Sequence, residues 1–67
     1  MSGQWTVLRH GGRLTDRWRT VCSGERARAE ERYWREHERM RQGGVRLVDP
    51  DGRVVMDDWA PRLRTRW

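Results

Sequence analysis

Residues 25–42, ERARAEERYWREHERMRQ, decide the fold, because this run contains no glycine, no proline and no β-branched residue. Such a run favours one continuous helix. Its charged positions interleave glutamate with arginine, and a pair four residues apart, such as Glu31 with Arg35, stabilises an exposed helix by roughly 0.2–0.5 kcal/mol. The less polar positions form a single stripe at helical spacing, which predicts a core-facing side. That stripe is Ala29, Tyr33, His37 and Met40, with Ala27 and Trp34 displaced to one side.

Residues on either side of this run mark the ends of the helix, which we expect to span residues 24–42. Ser23 can accept a hydrogen bond from a free amide of the first turn, and Glu25 suits the positive end of the helix dipole. At the other end, Gly43 and Gly44 can adopt the left-handed conformation that stops a helix. The sequence therefore predicts separate elements before and after the helix.

A β-hairpin is predicted over residues 4–22. The segment 5–9 is rich in strand-forming side chains, and Gly11 and Gly12 favour a turn after it. The segment 17–22 then alternates basic with bulky or β-branched residues, at the two-residue period of a strand.

A register that places Arg9 opposite Trp18 divides the side chains of this hairpin between two faces. One face is expected to join the core, and the other is mixed and basic. A slip of one residue would exchange the two sets. The predicted core face holds Trp5, Val7, Trp18, Thr20 and Cys22, and the other face holds Thr6, Leu8, Arg17, Arg19 and Val21.

A second hairpin is predicted over residues 45–56, because the sequence Asp-Pro-Asp-Gly at 49–52 is typical of a turn. Pairing Val48 with Arg53 again gives two faces. The predicted core face holds Val45, Leu47, Val54 and Met56, and the other face holds Arg46, Val48, Arg53 and Val55. Residues 57–67 are expected to form an extended C-terminal tail.

The chain is therefore expected to form one α+β domain over residues 1–67, in the order ββαββ, with the helix packed on an antiparallel sheet. Whether the two hairpins join edge to edge is left open by the pattern. A chain of 67 residues hides only ~60% of its unfolded surface, so we expect no deep cavity and no small-molecule substrate.

Cysteine and histidine content argues against enzymes and metalloproteins. Cys22 is the single cysteine, so no internal disulfide can form and a reducing cytoplasm is expected. Together with His10 and His37 it lacks the spacing of a zinc site, and we expect no metal or other cofactor. A nucleophilic pair of Cys22 and His37 is conceivable, but cysteine is more often a small buried hydrophobe. The expected protein is not an enzyme.

Two further features of the sequence concern location and origin. The chain lacks a secretory leader pattern and any apolar run near the ~20 residues that span a membrane, so neither secretion nor membrane association is expected. All 15 basic residues are arginine, and lysine, asparagine, isoleucine and phenylalanine are absent. This bias is typical of a high-GC genome, as in actinobacteria and their phages.

A net charge of +5 nevertheless suggests a polyanionic partner, DNA or RNA. Arginine forks onto phosphates and stacks on bases, and tryptophan stacks on unpaired bases. Codon bias weakens this hypothesis, since it accounts for part of the arginine content. The candidate binding residues are Arg17, Arg19, Arg46 and Arg53 on the non-core sheet face and Arg62, Arg64 and Arg66 in the tail.

An alternative hypothesis rests on the tryptophans. Five tryptophans exceed what so small a core needs, and exposed tryptophan beside arginine is typical of protein–protein interfaces. Trp34, Trp59 and Trp67 lie outside the predicted core and are the candidate interface residues. A homodimer or a protein partner would use them, and the sequence leaves both hypotheses open.

Overall fold

The fold is a four-stranded antiparallel sheet crossed by one helix, as a computed structural model describes it for residues 3–60. The strands are β1 (Trp5–His10), β2 (Arg19–Gly24), β3 (Gly43–Val48) and β4 (Val54–Ala60), and the helix is α1 (Arg26–Arg39). Their order across the sheet is β2-β1-β3-β4. The predicted α+β, ββαββ arrangement is confirmed, and pairing of β1 with β3 joins the hairpins into one sheet.

The core lies between α1 and one face of the sheet. Ala29 and Tyr33 of α1 are buried, and they form one cluster with Val7, Val45 and Leu47. Burying a side chain such as Leu47 contributes roughly 1.5–3 kcal/mol. The sequence pattern predicts all five of these core residues. Partly buried side chains pack around the cluster: Trp5, Val21, Cys22, Met40 and Met56.

Polar contacts also fasten α1 to the sheet. Arg9 Nη1 and Arg32 Nε each donate to a carboxylate oxygen of Glu36 at 2.8 Å. Burial raises the pKa of Glu36, but the hydrogen bonds and positive charges of the two arginines outweigh it, so the pKa lies below its ordinary value. His37 Nε2 lies 2.5 Å from Asp58 Oδ2 on β4. The helix is thus held by polar contacts with β1 and β4 as well as by the apolar core.

Strand β2 contains a bulge that the alternation of its residues does not reveal. Val7 pairs with Cys22, whereas the next residue, Leu8, pairs with Thr20. Val21 therefore has no partner on β1. A bulge of one residue transfers every side chain beyond it to the other face of the sheet.

Trp18 and Thr20 lie beyond this bulge, and the prediction that they belong to the core face is wrong. Both lie on the side of the sheet away from α1. Thr20 is placed there by its pairing with Leu8, and Trp18 by the contact of its ring with His10. Arg19 pairs with Arg9, whose side chain reaches the helix, so Arg19 falls on the helix side of this edge strand. The assignment of Arg19 to the non-core face is wrong for the same reason.

Strand β4 contains a second bulge. Met56 pairs with Leu47 as predicted, but Val54 pairs with Val48, so Val55 has no partner on β3. Val54 therefore lies on the side away from the helix, where it is 47% exposed. Its predicted place on the core face is wrong.

The ends of the helix also differ from the prediction. Ser23 belongs to β2, where it pairs with Thr6, and the N-cap is Glu25, whose side chain makes no capping bond. The helix ends at Arg39 because Met40 is already extended. Gly43 has a φ of +85°, but it is the first residue of β3 and not a helix cap.

The turn between β3 and β4 forms where the Asp-Pro-Asp-Gly sequence predicts it. Asp49 Oδ1 accepts hydrogen bonds from the backbone N–H groups of Asp51 and Arg53. Beyond the turn, β4 continues to Ala60, so residues 57–60 belong to the sheet and not to the predicted tail. The rest of that tail, residues 61–67, lies outside the described residues. No helix within residues 3–60 has the length and apolar character needed to cross a membrane.

Candidate functional site

The sheet face away from α1, which we call the open face, carries a cluster of three aromatic rings. His10, Trp18 and Trp59 come from β1, from the residue before β2, and from β4. The centroid of the His10 ring lies 5.3 Å from those of Trp18 and Trp59, and the two indole centroids are 5.4 Å apart. The rings are tilted or edge-on to each other, which is the favoured geometry of aromatic pairs. We call these three residues the aromatic cluster.

Trp59 lies against the backbone of Gly44, its partner on β3. A Cβ atom at Gly44 would lie 2.9–3.0 Å from Cδ2, Cε2 and Cε3 of the indole ring. These three atoms belong to the fused part of the ring, so one ring face rests on the glycine. The residue is nevertheless 45% exposed. Trp59 is therefore the most exposed member of the aromatic cluster, since His10 and Trp18 are only partly exposed.

Trp18 is held differently, by Arg46 of β3. The Cζ atom of Arg46 lies 4.1 Å from the centroid of the Trp18 ring, a close cation–π contact. Arg46 Nη2 also lies 3.5 Å from Asp57 Oδ2, and the buried Arg46 Nε has no hydrogen-bond partner among the described residues. Arg46 thus supports a ring of the cluster and leaves little of its guanidinium for a ligand.

His10 is oriented by the loop that follows β1. Its Nδ1 accepts a hydrogen bond of 2.9 Å from the backbone N–H of Gly12. A neutral ring that accepts at Nδ1 carries its proton on Nε2. The loop therefore fixes the ring of His10 beside the two indoles.

Exposed arginines border the aromatic cluster at one end of the sheet. This end, where β1 finishes and β3 begins, holds the loop over residues 11–18, and we call it the loop end; the opposite end, with the turn at 49–53, is the turn end. Gln42 Nε2 donates to the carbonyl of Gly11 and closes the loop end. An open depression there, the loop-end depression, is lined by Gly11, Arg13, Asp16, Arg17, Trp18, Arg19 and Gln42.

The arginines of this depression are free of ion pairs among the described residues, unlike several others in the domain. Arg13, Arg17 and Arg19 are exposed, and none forms an ion pair within residues 3–60. By contrast, a carboxylate pairs with each of Arg9, Arg26, Arg32, Arg35 and Arg46. The loop-end depression therefore presents free guanidinium groups, offset in part by Asp16.

The structure brings together only some of the arginines predicted to bind nucleic acid. Arg17 and Arg19 meet at the loop-end depression. Arg46 lies between β1 and β4, stacked on Trp18, and Arg53 lies at the turn end. These four do not form one surface. Arg62, Arg64 and Arg66 lie outside the described residues.

The tryptophans predicted to form a protein interface are also divided. Trp34 is 50% exposed and packs edge-on against Tyr33 on α1. Trp59 lies on the open face, on the other side of the sheet. Trp67 lies outside the described residues, so Trp34 and Trp59 are the two that can be placed, and they do not share a surface.

Two residues of the site escape sequence reasoning, Arg13 and His10. Arg13 lies in a loop, where strand alternation assigns no face, and the only signal for it is the density of arginine between Arg9 and Arg19. His10 follows the predicted strand at 5–9, and its ring contacts depend on β4, which is remote in sequence.

The structure does not bring Cys22 and His37 together as a nucleophilic pair. Cys22 lies on β2 and packs against the core, whereas His37 reaches Asp58 on β4, at the other edge of the sheet. Within residues 3–60 no three or more histidine, cysteine or carboxylate side chains are grouped so that they could hold a metal ion. Comparison with protein-family models, curated proteins and solved structures finds no significant match for this chain.

Proposed function

We propose that this chain is a non-enzymatic cytoplasmic module that binds nucleic acid at the loop end of its open face. The observation that carries the proposal is the junction of the aromatic cluster with the loop-end depression, because Trp18 belongs to both. Arginine supplies charge for phosphates, and aromatic rings supply surface for bases. This pairing of groups suits a polyanion with flat apolar parts.

Codon bias explains arginine in place of lysine, but it does not explain why three of the seven arginines without an ion pair among residues 3–60 lie at one place. Arg13, Arg17 and Arg19 share one depression with a single carboxylate, Asp16. This concentration of charge favours a positive potential at the loop end.

The proposal is tested by fluorescence anisotropy with a labelled single-stranded DNA over a range of NaCl concentrations. We expect the affinity to fall with salt, with a logarithmic slope of about −0.7 for each phosphate contacted. The double variant Arg17→Gln/Arg19→Gln should bind more weakly and with a shallower slope, because it removes two contacts. The matched control is Arg28→Gln/Arg53→Gln, which removes the same charge from exposed residues elsewhere.

Two results would contradict the proposal. One is the absence of binding to any nucleic acid at low salt. The other is an equal loss of affinity in the two double variants, which would mean that net charge alone, and not the loop-end depression, attracts the oligonucleotide.

A second candidate function, association with a protein or with a second copy of the chain, is favoured by β4. This strand lies at an edge of the sheet and is 7 residues long. Val54, Val55 and Trp59 on it are 47%, 45% and 45% exposed. An apolar edge strand of this kind can pair with another strand.

A further inference from the structure

We infer that the nucleic acid bound at the loop end is single-stranded, and that one unpaired base stacks on the outer face of Trp59. This inference rests on the proposed function and specifies its ligand. It is carried by the contact of the indole ring with the backbone of Gly44 and by the 45% exposure of Trp59 on the open face.

Each member of the aromatic cluster has a different role in this interpretation. Trp18 carries Arg46 at 4.1 Å from its centroid, so that ring face is occupied. His10 is tilted by 56° to Trp59 and held by Gly12, and like Trp18 it is only partly exposed. Trp59, at 45% exposure, is therefore the ring of the cluster most accessible to a ligand.

The position of the depression fits a base on Trp59. Trp18 lines the loop-end depression, and its centroid lies 5.4 Å from that of Trp59. A strand whose base rests on Trp59 would thus pass Trp18 at the edge of the sheet, where the exposed guanidinium groups of the depression lie. The Trp59 ring and the charged depression are close enough for one short stretch of nucleic acid to contact both.

A duplex cannot make the same contact, because its bases are stacked on each other and their faces are not available. In a single strand a base can stack on the protein without the free-energy cost of opening a base pair and unstacking the base from a duplex. Stacking on a protein ring does not discriminate strongly among bases, so little sequence preference is expected. DNA and RNA share this chemistry, and the experiment treats them as separate arms.

The test compares three ligands of one mixed sequence: single-stranded DNA, single-stranded RNA and the DNA duplex. Trp59→Leu is expected to weaken single-strand binding roughly tenfold, as the loss of one stacked base does, and to leave duplex binding and the salt slope unchanged. Trp34→Leu is the matched control, since Trp34 is similarly exposed but lies on the helix. Circular dichroism confirms that each variant is folded.

A second variant tests the ring position without removing the ring. Gly44→Ala places a Cβ against the indole, so the ring must move from its place on the sheet. We expect weaker single-strand binding while all five tryptophans remain. This arm keeps the inference testable even if Trp59→Leu does not fold.

The outcomes separate the inference from the proposed function. Equal binding of duplex and single strands, or equal effects of Trp59→Leu and Trp34→Leu, would overturn the inference and leave the proposed function standing. No binding of any of the three ligands would overturn both. If Trp59→Leu changed only self-association of the protein, Trp59 would belong to a protein interface and the inference would fall.

Discussion

Glu36 shows how a single charged residue can hold two elements of this domain together. It accepts hydrogen bonds from Arg9 on β1 and Arg32 on α1, and its side chain is only 13% exposed. A carboxylate whose pKa is lowered in the folded state contributes stability above its unfolded pKa. That contribution is lost as the pH falls through the lower, folded pKa.

We predict that Glu36→Gln lowers the free energy of unfolding at pH 7 by about 1.5–3 kcal/mol, because charge-assisted hydrogen bonds to a half-buried group are lost. The difference from the wild type should begin to shrink below about pH 4.3, the ordinary pKa of glutamate, and should go on shrinking until the pH is below the lowered pKa of the folded state. Urea unfolding at a series of pH values measures both effects.

The control for this prediction is Glu31→Gln. Glu31 is 71% exposed, 3.5 Å from Arg35, and such a surface pair contributes under about 1 kcal/mol. Equal losses for the two variants, or a Glu36 difference that stays constant down to pH 3, would contradict the assignment.

Arg46 shows why sequence reasoning misjudges which individual arginines are available to a ligand. Its position in β3 correctly indicates the open face, where it would be available to phosphate. Its actual contacts are with Trp18, the residue before β2, and with Asp57 on β4. The residue pattern of one strand does not reveal its contacts with side chains from other segments.

At the scale of elements, the two glycines Gly43 and Gly52 both have positive φ but different surroundings. Gly52, with a φ of +89°, has open space where a Cβ would project. At Gly43, with a φ of +85°, a Cβ would overlap the backbone of His10 and Gly11. Gly43 is therefore required both for its positive φ and for the absence of a Cβ atom, whereas Gly52 is required only for its positive φ.

We predict that Gly52→Ala destabilises the protein by about 1–2 kcal/mol, the cost of a left-handed conformation for a residue with a Cβ. Gly43→Ala should cost clearly more, because β1 and β3 must also move apart. Thermal and urea unfolding of the two variants test this difference. Equal destabilisation would show that the backbone at Gly43 accommodates the methyl group without moving the strands.

The bulges at Val21 and Val55 explain why the alternation of residues assigns some side chains to the correct face of the sheet and others to the wrong one. Residues on one side of each bulge, such as Cys22 and Met56, lie on the predicted face. Residues on the other side, such as Trp18 and Val54, are reversed. Bulges occur at sheet edges and leave no mark in a simple alternation, so the open face could not be assembled from the pattern.

At the scale of the whole molecule, the second candidate function makes a prediction of its own. Association through β4 predicts a concentration-dependent dimer in sedimentation velocity, with little response to salt because the contact is apolar. Val54→Lys should abolish it, since lysine on an edge strand opposes pairing. A strict monomer over the micromolar range would exclude self-association, and Val48→Lys, on the inner strand β3, serves as the comparison.

The order of elements, the α+β class and the five buried residues of the core can all be predicted from the amino-acid sequence. These follow from local signals: helical spacing in α1, turn residues at 49–52, and apolar residues at the centres of strands. Tertiary structure alone decided which side chains share the open face. The reason is that ring contacts, bulges and the β1–β3 pairing join residues remote in sequence, such as His10 and Trp59, and depend on a register that no single segment encodes.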